Sequence, residues 1–168
     1  MRIIAGIYKG RRLKSPGKNS IVRPTTDRVK ETLFNVLNNV VEYGETTFLD
    51  LFCGTGAIGI EFLSRGGTGV TFVDTDTRSV KENVNLLNLT KGFEIIRNDS
   101  LKYLLTFNGY FDIGFADPPY NYSEYDELIT AAKDKTGILI IEHSSDIELD
   151  DGYMRKEFGD TSMTFFKF

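Results

Sequence analysis

The sequence predicts an α/β fold: a mostly parallel sheet with helices on both faces, closed by an antiparallel hairpin. Three observations predict it. From residue 47 onward, short runs rich in β-branched and aromatic residues alternate with helical stretches. Those runs are apolar at successive positions, as strands covered on both faces are. The tail then breaks the alternation, because YMRKEF (153–158) and SMTFFKF (162–168) are separated only by GDT, a hairpin pattern.

The elements follow in order. RIIAGIYKGRRLKSP, residues 2–16, reads as two short strands around a Lys9-Gly10 turn, closed by Pro16. Gly17 to Ser20 is a polar loop. RPTTDRVKETLFNVL starts a helix: Pro24 sets the entry, Thr25 or Thr26 caps it, and Asp27 sits in the first turn, where the dipole favours an acid. Val29, Leu33, Val36, Leu37 and Val40 recur at helical spacing, and Gly44 ends the segment. Strands are predicted at 47–52, 69–74, 93–97, 111–116 and 137–142, with helices starting near Ala57, Thr77, Ser100 and Ser123. In the helix after Thr77, Val80, Val84 and Leu87 mark the buried stripe. The expected organisation is a basic extension over 1–24 (hairpin and loop) and one α/β domain over 25–168.

Bulk properties narrow the class. The 168 residues suit one domain, and 40% apolar residues suffice for a core. A single cysteine gives no disulfide framework and points to a reducing cytoplasm. No apolar run approaches the roughly 20 residues of a membrane span, and no ligand spacing suggests a metal. Residues 1–30 hold nine Lys and Arg against Asp27 alone, although the whole chain carries −4. A basic arm on an acidic body suggests a polyanionic partner, with Lys9, Arg11, Arg12 and Lys14 as candidate phosphate contacts. The alternative is a solvated, charged terminus.

LDLFCGTGAIGIEF (49–62) places Gly54, Gly56 and Gly59 as G-x-G-x-x-G at a strand-to-helix junction, where small residues let the backbone approach a ligand. Asp74 ends the next strand, 20 residues after Gly54, placed to bind two ribose hydroxyls. That pair alone would fit a nicotinamide dinucleotide. Two further acids argue otherwise. Asp50, inside the strand end, sits poorly beside a pyrophosphate but could face an ammonium; its plainer reading is a helix-capping or turn-bonding acid. Asp99, after the third strand, could accept from an adenine amine, with the Ser100 N–H as donor. S-adenosylmethionine carries an amino acid, a ribose and an adenine without phosphates. Cys53 reads as an apolar filler and His143 as a surface or structural residue.

FDIGFADPPYNY (111–122) ends a strand in an acid, two prolines and a tyrosine. Prolines lack the N–H a ladder needs, and each forces its predecessor toward extended geometry. The result is a stiff corner at the mouth of the crevice where α/β sheets bind ligands. A nucleobase amine is a poor nucleophile, because its lone pair is delocalised into the ring. Asp117 and the Pro118 carbonyl, held by Pro119, would accept its N–H groups, and Tyr120 would stack the base. A base in this pocket must be unpaired or flipped.

DPPY resembles the [DNS]-PP-[YF] motif of nucleobase amino methyltransferases. The ordered set RIIAG-Y-KGRRL, RPTTDRVKETLFNVL, LDLFCGTGAIGIEFLSRG, FVDTD and ADPPY resembles the RsmD family, over nearly the whole chain. The resemblance implies a Rossmann-like class I methyltransferase with a seven-stranded sheet, methylating guanine N2 in small-subunit (16S) ribosomal RNA within the small subunit. It implies a cofactor site of Asp50, Gly54, Gly56, Asp74 and Asp99 and an acceptor site at Asp117, Pro118, Pro119 and Tyr120. In RPTTDR, Arg23, Thr25 and Arg28 are expected in a lid near the cofactor carboxylate or the RNA backbone, the alternative being a capped helix start. A cytoplasmic monomer is expected. Two rival readings are a DNA adenine-N6 methyltransferase, for which the chain has no spare target-recognition region, and a ribosome-assembly factor that binds cofactor and RNA without turnover.

Overall fold

A computed structural model of the chain describes residues 1–15 and 27–168. The predicted alternation forms. The elements are α1 (Asp27–Leu37), β1 (Thr47–Leu51), α2 (Ala57–Ser64), β2 (Gly69–Asp74), α3 (Arg78–Leu86), β3 (Phe93–Arg97), α4 (Ser100–Thr106), β4 (Phe111–Ala116), α5 (Tyr125–Ala132), β5 (Thr136–Ser144), β6 (Met154–Phe158) and β7 (Thr161–Lys167). The seven strands form one sheet in the order β3-β2-β1-β4-β5-β7-β6. The first five are mutually parallel. β7 inserts antiparallel between β5 and β6, so the predicted tail hairpin completes the sheet.

Two cores cover the sheet, one on each face. Alternate residues Phe48, Phe72, Ile113, Phe115 and Ile140 pack with α1, α2 and α3. Their neighbours Leu49, Leu51, Val73, Ala116 and Ile141 pack with α4 and α5. Strand side chains point alternately to opposite faces, so strands buried on both carry apolar residues at successive positions, as Phe48-Leu49 in β1 and Ile113 to Ala116 in β4 do. Glycine serves the packing of α2: a Cβ on Gly59 would lie 2.4 Å from the Phe72 ring.

Several expectations change at the N-terminal end. The two strands predicted around Lys9-Gly10 reduce to a single antiparallel bridge, Arg2 to Arg12. Backbone bonds from Ile3 N–H to Arg11 O and from Leu13 N–H to Met1 O close the rest of the loop. Pairing stops because the arm spends its other backbone groups on α2. The Ile4 and Ala5 N–H groups donate to the Glu61 carboxylate at 2.8 and 2.9 Å, and the Tyr8 N–H donates to Ser64 Oγ. Gly6, at φ +79°, passes so close that a Cβ would overlap the Ser64 carbonyl. Ile3 and Leu13 are buried in the same core as α2.

Helix α1 ends at Leu37, so Val40 leaves the predicted stripe and is exposed, while Phe34 and Lys30 join the buried face. Lys30 is fully buried and donates to the Arg2 carbonyl, with Glu61 3.8 Å away. Burial lowers its pKa and Glu61 acts against that. Arg65 pairs with Glu61 at 3.0 Å and lies over the Phe34 ring. Glu61 thus ties the arm, α1 and α2 together.

Candidate active site

Chain order reverses between β1 and β4, which are neighbours in the sheet although β2 and β3 lie between them in sequence. The loops leaving their C-terminal ends diverge there and open a crevice. The glycine loop follows β1 and the DPPY corner follows β4, so the reversal places them side by side. Asp74, at the end of β2, and Asp99, just past β3, extend the same edge.

The glycine loop is shaped from within. The chain leaves β1 at Phe52, in the left-handed region with φ 53°, so strand pairing ends one residue before the predicted 52. A bulky residue there marks local strain. The Phe52 N–H is held by Ser100 Oγ at 3.0 Å, and its ring packs edge-on against Tyr122. Gly54, also left-handed, donates its N–H to Asp74 Oδ2 at 2.8 Å. A Cβ on Gly54 would meet nothing nearer than the Phe52 carbonyl at 3.9 Å. Space therefore lies open over this backbone, whereas a Cβ on Gly56 would strike Val80.

The acids each hold backbone as well. Asp50 is buried and its Oδ2 accepts from the Gly59 N–H at 2.9 Å, in the first turn of α2. Burial raises its pKa well above the usual carboxylate range, and Asp117 and Asp74 raise it further. Asp74 Oδ1 accepts from the Asp76 N–H, and Asp99 Oδ1 caps α4 at the Lys102 N–H. A crevice lined by mutually repelling carboxylates favours a cation. Open backbone at Gly54 and this acidic lining fit a cationic, phosphate-free nucleoside such as S-adenosylmethionine. Arg23 and Thr25 lie outside the described residues.

At the acceptor corner Asp117 is half-buried, Pro118 buried, and Pro119 and Tyr120 exposed. Desolvation pushes the Asp117 pKa up to about 7. Tyr122 closes the turn by donating its N–H to the Pro119 carbonyl. Its ring joins Phe52 to Tyr125, an aromatic corner binding the two loops together.

The basic residues are only partly free. Lys9 and Arg12 are exposed, while Arg11 donates to the Leu86 carbonyl and Lys14 pairs with Glu82. The arm's open end lies beside the glycine loop, through Thr55 Oγ1 donating to Met1 Sδ. Fully buried Asn83, which the sequence reading passed over, links both: it holds the Lys14 N–H and carbonyl and donates to the Thr55 carbonyl. An asparagine three residues beyond Val80 on an apolar stripe was the available signal. His143 is buried rather than on the surface, bonded through Nδ1 to the Ser144 carbonyl and through Nε2 to Thr164 Oγ1. Cys53 is buried and burial raises its thiol pKa, as suits a filler. A separate cleft of about 460 Å³ lies at the opposite ends of the central strands, by Asp112, Gly137 and Phe168, away from these loops.

A sheet of this order, with a glycine loop and a DPPY corner flanking its reversal, defines the Rossmann-like class I methyltransferase fold. The family model described as conserved hypothetical protein 95 matches residues 1–167. The chain belongs to that family, the RsmD family. The Bacillus subtilis protein YlbH is 39% identical over 161 residues, covering 89% of this chain and 85% of that protein. Escherichia coli ribosomal RNA small subunit methyltransferase D is 37% identical over 137 residues, covering 80% and 67%. The solved structure of the Escherichia coli protein yhhF matches with a TM-score of 0.83 and 29% identity, covering 99% of this chain and 97% of that one.

Proposed function

We propose that this protein is an S-adenosylmethionine-dependent methyltransferase that modifies the exocyclic N2 of a guanine in 16S ribosomal RNA, acting in the cytoplasm as a monomer on the assembling or assembled small subunit. The observation that carries the reading is the juxtaposition of the open glycine backbone at Gly54 and the DPPY corner across the β1/β4 reversal. The name of the Escherichia coli relative, ribosomal RNA small subunit methyltransferase D, supports RNA as the substrate.

When bound, S-adenosylmethionine supplies an electrophilic methyl group. The RNA base supplies the amine nucleophile, and the chain binds and orients both. Asp50 faces the ammonium, Asp74 the ribose hydroxyls, and Asp99 with the Ser100 N–H the adenine edge. Asp74 and Asp99 each keep lone pairs beyond their present backbone bonds. Asp117 and the Pro118 carbonyl accept the two amine N–H groups and draw the nitrogen toward tetrahedral geometry, in line with the methyl. Tyr120, 56% exposed, offers a free ring for the flipped base. The nitrogen becomes a strong acid once methylated, and Asp117 takes its proton then. Lys9 and Arg12 hold phosphates; Arg11 and Lys14 join once their internal partners release them.

The test is methyl transfer from labelled cofactor to unmethylated small subunits and to bare 16S transcript, with the modified nucleoside identified by mass spectrometry. N2-methylguanosine is the expected product. N6-methyladenosine would replace guanine by adenine as the target. Cofactor and RNA binding without turnover would favour the assembly-factor reading.

A further inference from the structure

Strand β5 reaches the same edge beside β4, and its last buried acid has no part in the chemistry above. Parallel register sets Phe115 against Ile140 and Ala116 against Ile141. Continued one step past the end of β4, the same register sets Asp117 against Glu142. Phe115 and Ile140 belong to the core under α2, whereas Ala116 and Ile141 belong to the opposite one. Residues two apart on a strand share a face. Asp117 and Glu142 therefore leave the sheet on the Phe115–Ile140 side, from strands about 4.8 Å apart. Pro118 keeps Asp117 extended, so the alternation persists one residue beyond the strand end. Asp50 leaves on this side too, two residues after Phe48. Glu142 is only 9% exposed.

We propose that Glu142 selects guanine, accepting the N1–H of the target base while Asp117 accepts from its N2 amine. The inference rests on the methyltransferase reading above. Guanine presents N1–H and N2–H₂ as adjacent donors on its Watson–Crick edge, and two neighbouring carboxylates are acceptors only. Adenine presents a lone pair at N1 beside its amine, so Glu142 would face an acceptor. A site built to hydrogen-bond a group rejects the analogue lacking it, because its own polar atom is left buried and unmatched. Glu142 thus decides which amine is read, and the DPPY corner, which suits any nucleobase amine, does not.

The test replaces the guanine that the protein methylates by 2-aminopurine, which keeps the exocyclic 2-amine and lacks the N1–H. Single-turnover rates are measured on small subunits carrying each base, for the wild type and for Glu142→Gln. The carboxamide keeps the shape and can turn either its oxygen or its amide toward N1. The wild type is expected to favour guanine by about 10- to 150-fold, the range for one charged hydrogen bond. In Glu142→Gln that ratio should shrink at least several-fold, with affinity for S-adenosylhomocysteine unchanged. Loss of O6 affects both proteins alike, so the change in ratio isolates Glu142. A wild-type ratio near one, or a ratio unchanged in Glu142→Gln, overturns the assignment. A wild type that binds cofactor yet leaves guanine unmethylated sinks the methyltransferase reading, and this inference with it.

Discussion

The loops after β1, β2 and β3 differ from the loop after β4 in what holds them. On the first side every acid already has a backbone partner: Asp50 has Gly59, Asp74 has Gly54 and Asp76, and Asp99 has Lys102. Ser100 adds the Phe52 N–H. On the other side, no side-chain hydrogen bond joins Asp117 to the described residues; two prolines and an aromatic corner hold it instead. The cofactor side is therefore shaped before any ligand arrives. The acceptor side is stiff but chemically unfinished, with a carboxyl poised to titrate near neutrality. A group that must grip and then release a substrate amine gains from lacking a permanent partner.

The sharpest way to break this comparison is to truncate each side. Asp117→Ala should lower single-turnover methylation by about 10²–10³, the loss of one positioned acceptor in a dry site, and leave cofactor affinity nearly intact. Asp74→Ala should do the reverse, weakening S-adenosylmethionine binding about 10- to 150-fold in calorimetry, since it removes both the expected ribose contact and the Gly54 anchor. If Asp117→Ala and Asp74→Ala both weaken cofactor binding equally, the two sides are one.

Titration sharpens the same contrast. The ionised form of Asp117 accepts amine hydrogens most strongly and can take the proton; the protonated form accepts only weakly and cannot. Because desolvation raises its pKa to about 7, kcat/KM should level off above pH 8 and fall toward tenfold per pH unit well below pH 7. Asp117→Asn should be slow and flat across that range. A kcat/KM profile that breaks instead near pH 4 would show that the free enzyme already holds Asp117 ionised at neutral pH, whereas such a break in kcat alone would show that substrate binding re-ionises it.

Smaller effects come from stacking and from the arm. Tyr120→Ala should slow transfer by roughly 5- to 150-fold, the worth of about 1–3 kcal/mol of base stacking, and Tyr120→Phe should be mild. A Phe variant as slow as Asp117→Ala would mean that the hydroxyl, not the ring, does the chemistry. Neutralising exposed Lys9 and Arg12 should flatten the log–log salt dependence of RNA affinity by up to roughly 0.7–0.9 per lost contact. Arg11 and Lys14 should contribute less, because each already has an internal partner. An unchanged slope would make the arm a solvated terminus.

Some failures of sequence reading share one cause. Local composition predicts an N-terminal hairpin, but Glu61 and Ser64, far along the chain, compete for its N–H groups. Val40 fitted the helical period of α1, but the helix ends at Leu37. Lys30 and Glu61 look like surface charges on their helices and lie buried together. None of these outcomes is encoded within a short window, because each depends on which distant groups come to face it.

What the sequence determined by itself was local and periodic: apolar runs that can only be two-sided strands, glycines where φ must be positive, and prolines that stop β4 with Asp117 exposed to chemistry. Those constraints act within a few residues, through sterics and side-chain alternation. Only the tertiary structure decided which strands are neighbours. The β1/β4 adjacency brings the loop of Gly54 beside the corner of Asp117, the β4/β5 register sets Ala116 against Ile141, and the insertion of β7 between β5 and β6 closes the sheet. Strand pairing is set by the summed packing of two cores and by chain crossover, and a run of apolar residues carries no mark of its partner.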